Sequence, residues 1–265
     1  MTRRIMACAG IVGALVLALG GCATQPAAGA SADVVTASDE SEAHRRARIR
    51  MELAMGYFEQ GRADIALDEV KQAIAIDPAF TEAHNLRGLI FMRLNDNRAA
   101  EEAFRRAMSL SPRDADTNHN LGWLMCQQAR YPDAQRLFET ALANPIYTGR
   151  ARTFMVQGVC YARAGVAANA EKSLARAYEL DPGNPVAGYN LANLLYRRGE
   201  NTRAQFIMRL LNNGEFANAE SLWLGIKVER RMNDGLAMRQ LGEQLKKRFA
   251  NSREAAAFDR GAFDD

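Results

Sequence analysis

The sequence is poor in the residues that build reactive centres. It holds three histidines and four cysteines among 265 residues, in no recognised catalytic spacing. His-Glu-x-x-His, Gly-x-Ser-x-Gly, a phosphate-binding Gly-rich loop and Cys-x-x-Cys are all missing. Zinc hydrolysis, acyl transfer from a serine elbow, nucleotide binding and dithiol exchange therefore lose their usual sequence support. His44, His84 and His119 are scattered and read as ordinary polar positions, not as a metal pair. Seven prolines exclude a proline-rich stalk. A net charge of +3, with no strongly basic domain, excludes an obligate nucleic-acid binder. What is present is alanine in abundance, 48% hydrophobic and 25% charged residues. Those values describe an ordinary globular chain that favours helix over sheet.

One apolar run interrupts this pattern. Arg3 and Arg4 precede Ile5–Leu19, an apolar stretch of roughly 15 residues and too short to cross a ~30 Å hydrocarbon core as an ordinary helix. It reads as the core of a signal peptide spanning 1–21. Leu19-Gly20-Gly21-Cys22 resembles a bacterial lipobox, in which the cysteine thiol is acylated and the chain is cut before it. Cys22 is thus the expected lipidation site, palmitate included, and several acyl chains give stable anchoring. Ala23 stands where aspartate would favour inner-membrane retention, so the resemblance implies the outer membrane, facing the periplasm. Residues 22–45 are rich in Ala, Ser, Gly, Thr and acidic side chains, without period, and read as a flexible tether. Loss of Arg3 and Arg4 leaves 32 basic against 31 acidic side chains, so attraction to anionic surfaces should be weak.

Beyond the tether the sequence repeats itself. Ala66, Ala100, Ala134, Ala170, Ala204 and Ala237 are separated by 34, 34, 36, 34 and 33 residues. Ala73, Ala107, Ala141 and Ala177 follow in phase. About twelve residues before the first set stand small residues: Ala54, Gly88, Gly122, Gly158, Ala192 and Gly225. Larger ones come three further on: Tyr57, Phe91, Met125, Tyr161, Leu195 and Val228. Pro78, Pro112 and Pro182 close units. A period near 34, with two amphipathic helical patterns and a turn in each unit, resembles the tetratricopeptide repeat. The expected fold is all-α, a right-handed superhelical solenoid of about six helix pairs over 46–248. The units run about 47–80, 81–114, 115–150, 151–184, 185–217 and 218–248. The 36-residue step near Leu142–Gly149 is either a surface insertion or a contact loop. Residues 249–265 are either a capping segment or a frayed tail.

In such arrays the first helix of each unit lines the inner face, through frame positions 5, 9 and 12. These hold Met51, Met55 and Phe58 in unit one, and Asn85, Leu89 and Met92 in unit two. Unit three holds His119, Trp123 and Cys126 there, and unit four Met155, Val159 and Ala162. Met51, Met55, Phe58, Leu89, Met92 and Trp123 are the candidate partner-binding groove. Methionine and aromatic surfaces suit an amphipathic helix or an apolar chain end. The same spacing also fits plain core, so both readings stand. Cys126 and Cys160 fall late in the first helices of neighbouring units; in an oxidising compartment they either bridge or remain buried thiols.

The lipobox and tether, Asn120-Leu-Gly-Trp-Leu-Met-Cys126, Ala141-Leu-Ala-Asn-Pro-Ile-Tyr147 and Ser221-Leu-Trp-Leu-Gly-Ile226 together carry a narrower resemblance. The chain resembles the type IV pilus biogenesis and stability lipoproteins, the pilotin-like PilF/PilW group. That resemblance implies a non-enzymatic adaptor that binds the pilus secretin through its groove. It would promote secretin localisation and multimer assembly at the outer membrane, and hence twitching motility. It implies no cofactor, no nucleic acid and no small-molecule substrate. The rival expectations are a repeat lipoprotein serving β-barrel assembly or peptidoglycan hydrolases, and a cell-wall hydrolase.

Overall fold

The computed structural model describes residues 40–263. The expected signal peptide, Cys22 and most of the tether lie outside the described residues. From Ser41 onward the chain is one compact unit of helices only, among the described residues. In chain order these are α1 (Glu42–Glu59), α2 (Ala63–Ile76), α3 (Thr81–Arg93), α4 (Asn97–Leu110), α5 (Ala115–Gln127) and α6 (Tyr131–Leu142). They continue as α7 (Arg150–Arg163), α8 (Ala167–Leu180), α9 (Pro185–Arg197), α10 (Asn201–Asn212), α11 (Ala219–Arg231), α12 (Gly235–Arg248) and α13 (Arg253–Asp259). Six antiparallel pairs and a short closing helix result, and the pair boundaries follow the sequence units. No described helix is long and apolar enough to cross a membrane.

The turn inside every pair is the same device. Gly61, Asn95, Ala129, Gly165, Gly199 and Asn233 all adopt positive φ, between 58° and 81°. Each ends the first helix with the left-handed cap, as where Gly61 N–H donates to Phe58 O (3.0 Å) and Arg62 N–H to Tyr57 O (2.9 Å). The small residues of the frame then let the pair close. A β-carbon on Gly122 would stand 2.8 Å from the Phe138 ring, and one on Gly158 2.6 Å from Leu174 Cγ. Phe104, Phe138 and Leu174 are fully buried in the space this creates.

Successive pairs are tied by the turn before each first helix. The Pro78 carbonyl accepts from His84 Nε2 (3.0 Å), and the Pro112 carbonyl accepts from Asn118 Nδ2 (3.1 Å). In the long third connection Tyr147 does this work from its side chain. It is buried, with its hydroxyl 3.1 Å from Thr153 Oγ1, while Ile146 beside it stays exposed. The 36-residue step is therefore a largely exposed connection pinned to the array by Tyr147.

Each first helix also touches the first helix of the next unit, whereas no second helix touches the next second helix. The array is tighter on the side of α1, α3, α5, α7, α9 and α11, which makes that side the inner face. α13 packs on α11 and α12 as the first helix of another unit would, with Phe258 filling the space over Gly242. α13 thus covers the end of the array within the described residues, and residues 264–265 lie outside them.

One boundary differs from expectation. α1 begins at Glu42, inside the stretch read as tether to residue 45. Ser41 caps it, its hydroxyl accepting from His44 N–H at 3.0 Å. His44 Nδ1 lies 2.6 Å from Asp77 Oδ2 and its ring 4.6 Å from that of Phe80, so the extra turn is held by the first connection.

Candidate partner-binding face

The six expected groove residues all lie on the inner side and all are half-buried. Met51, Met55 and Phe58 pack against the core of the first pair, through Ala54 and its neighbours. Leu89, Met92 and Trp123 pack against the next core, around Phe104 and Phe138. Each residue thus has one side in the core and another open. Two of the aromatics carry a guanidinium from the next first helix: Arg93 lies 5.4 Å from the Phe58 centroid, and Arg163 lies 5.1 Å from that of Trp123. These contacts set a cation over each ring and keep the face from being wholly apolar.

Other frame positions are plugged instead. His119 is 5% exposed and does not line the face as expected. Its Nδ1 meets Thr153 Oγ1 at 2.8 Å, in the next first helix. Burial, with Arg152 adding repulsion, pushes its pKa down to about 3, so it is neutral in the folded protein. Asn120 Nδ2 donates to Asn85 Oδ1 at 3.0 Å. Cys126 is also buried, and it forms a disulfide with Cys160 across α5 and α7, their Cα atoms 5.8 Å apart. Units two to four are therefore cross-linked along the floor of the face, with the methionines and Trp123 standing above it. Among the described residues no group of three His, Cys, Asp or Glu side chains is placed to hold a metal.

In α9 and α11, counted from their first residues Pro185 and Ala219 as α3 and α5 are from theirs, positions 5, 9 and 12 hold Tyr189, Asn193, Tyr196, Trp223, Lys227 and Arg230. The sequence frame, which starts unit six at 218, puts Leu222, Ile226 and Glu229 at these places instead, and all three are buried.

An array of antiparallel helix pairs presenting a half-open inner face is a protein scaffold of the repeat class. The tetratricopeptide repeat family matches residues 51–115 and 120–185, and a second tetratricopeptide repeat family matches 161–222. The type IV pilus assembly protein PilF of Pseudomonas aeruginosa is 30% identical over 209 residues, covering 78% of this chain and 82% of PilF. A solved structure of Pseudomonas aeruginosa PilF superposes with a TM-score of 0.76 at 27% identity, over 82% of this chain and 99% of that one. PilW, described as a widely conserved type IV pilus biogenesis factor, superposes at 0.73 with 28% identity, over 81% of this chain and 98% of PilW. The chain belongs to the PilF family of tetratricopeptide repeat proteins.

Proposed function

We propose that the chain is a lipid-anchored, non-enzymatic adaptor of type IV pilus biogenesis. Acyl chains on Cys22 hold it at the outer membrane, facing the periplasm. The inner face of units one to three binds a segment of the pilus secretin. Confinement to the membrane raises the local concentration of secretin subunits and favours their association into the ring. The observation that carries this reading is similarity to PilF along nearly the whole array. The half-open methionine and aromatic surface supports it, because such surfaces accommodate an incoming apolar segment.

The test is crosslinking from intact membranes followed by secretin immunodetection. Wild-type protein should recover secretin, and Met55→Glu and Trp123→Ala should lose it while keeping wild-type helix content. Cys22→Ser should leave a folded protein that no longer fractionates with the outer membrane. Twitching should fail in the null strain while bulk porin levels stay normal. Loss of porins with intact secretin rings would point to β-barrel assembly instead, and turnover of peptidoglycan by purified protein would overturn the adaptor reading.

A further inference from the structure

The inner face changes chemistry along its length. In units five and six the thioethers of the first half give way to aromatic rings and cations. Lys227 Nζ lies 5.9 Å from the Tyr196 centroid and 5.7 Å from that of Trp223. The Arg231 guanidinium lies 4.2 Å from the Tyr196 centroid. Tyr189, Asn193, Trp223 and Lys227 line a cleft of about 400 Å³, closed on one side by Arg253 and Arg260. Glu220 and Glu254 line it too, but Arg253 already engages both, at 3.3 and 2.7 Å. Three cations, Lys227, Arg253 and Arg260, stand against two carboxylates in the lining, and this cationic excess favours an acidic ligand.

One aromatic side chain is already seated beside this cleft. Phe263, beyond the end of α13, stacks on Trp223 with centroids 5.4 Å apart and planes 24° apart. The Arg230 guanidinium lies 4.8 Å from the Phe263 centroid. Phe258 fills the space over Gly242, and Phe263 packs on the edge of the same core, 6.1 Å from Phe258 between ring centroids. In sequence Phe263 is followed by Asp264 and Asp265.

We propose that units five and six form a second binding place on the inner face. Its ligand is an extended partner segment in which an aromatic residue is flanked by carboxylates. Phe263 occupies the aromatic slot until such a segment displaces it. An incoming ring gains the same stacking on Trp223, and its neighbouring carboxylates meet Lys227, Arg230 and Arg231. The inference rests on the inner face being the binding surface, and needs neither the secretin nor the methionine half.

The test is fluorescence anisotropy of a labelled synthetic peptide, one phenylalanine flanked by aspartates, titrated with the full chain in detergent. Binding should saturate, weaken with added salt, and fall at least tenfold when the aspartates become asparagines. Lys227→Gln with Arg230→Gln should lower affinity about tenfold. Phe263→Ala should raise it severalfold by emptying the slot. Equal binding of the asparagine peptide, or no saturable binding, overturns the proposal, as does weaker binding by Phe263→Ala with helix content intact. Should that variant lose helix content, the aspartate-to-asparagine comparison and the Lys227/Arg230 variant decide on the unaltered tail. Failure here with secretin still crosslinked through the Met55 and Trp123 half would sink this proposal alone.

Discussion

Gly158 of α7 and Leu174 of α8 meet so closely that a β-carbon on the glycine would stand 2.6 Å from Leu174 Cγ and 3.0 Å from the Leu174 backbone nitrogen. The Ala170 carbonyl would be only 3.1 Å away. A side chain cannot swing to relieve contacts with backbone atoms, so the helices themselves must part. Gly158→Ala gains about 1 kcal/mol of helix propensity but incurs about 1–3 kcal/mol of overpacking. The net expectation is a loss of about 1 kcal/mol. Gly56→Ala, in α1 with nothing within 4 Å of the added carbon, should instead gain up to about 1 kcal/mol. Urea unfolding of the two variants should show midpoints moving in opposite directions.

Ala129 occupies the left-handed turn position that three other pairs give to glycine, at φ 59°. A β-carbon there is strained by roughly 1–2 kcal/mol. Ala129→Gly should raise stability by about 1 kcal/mol, and the reverse change, Gly165→Ala, should lower it by a similar amount. Both are surface positions, so a change of the opposite sign in chemical denaturation would contradict the cap geometry.

The Cys126–Cys160 bond closes a loop with sequence separation 34. Loop-closure entropy gives about 3–4 kcal/mol for such a link. Thiol titration of the denatured full chain should count two more thiols after reduction than before. Cys126→Ser with Cys160→Ser should lower unfolding stability by an amount in that range, and wild type treated with reductant should match the variant.

His119 makes stability depend on pH in a defined direction. Its folded pKa is about 3 and an unfolded histidine titrates near 6.5, so the unfolded chain binds the extra proton. Its contribution is complete above pH 6.5 and is lost as pH falls from 6.5 towards 3, by up to about 1.4 kcal/mol per pH unit. Burial displaces His84 in the same direction, so the two effects add. His119→Gln, which keeps a donor for Thr153 but does not titrate, should flatten the fall in stability between pH 6 and 4. Urea midpoints at pH 7, 6, 5 and 4 measure this.

The fold was legible because the repeat writes each structural requirement in one place. Ala66 and its counterparts, Gly88 and Gly122, and Pro78 and Pro112 mark close approach and helix end in residue types that few others replace. The period places the turn residues Asn95 and Ala129 correctly even though glycine is absent there, but in the shorter last step it falls one residue before Asn233. The start of α1 was not legible: Ser41 is a strong cap, but it sits among serines and acidic residues that look alike without a partner such as Asp77. Nor was the burial of His119, which depends on Thr153 meeting it from the next unit, with Tyr147 bonded to the same hydroxyl. The groove positions could be located by frame, but spacing alone cannot divide a half-buried methionine between core and surface. Tyr189 shares that frame, but the 33-residue last step moves Trp223 and Lys227 one residue off it.

The covalent link between α5 and α7 also has a mechanical meaning. A pull on the two ends of a stacked array runs through its helix pairs in series, and the outermost pairs, with one neighbour each, uncoil first. Between Cys126 and Cys160 the sulfur bridge carries the load directly. The chain inside that loop, separation 34, therefore stays slack: at ~3.3–3.6 Å per residue, roughly 110 Å of contour length never comes under tension. Stretched, the molecule should behave as a line with a splice in its middle, lengthening on either side of a knot that holds.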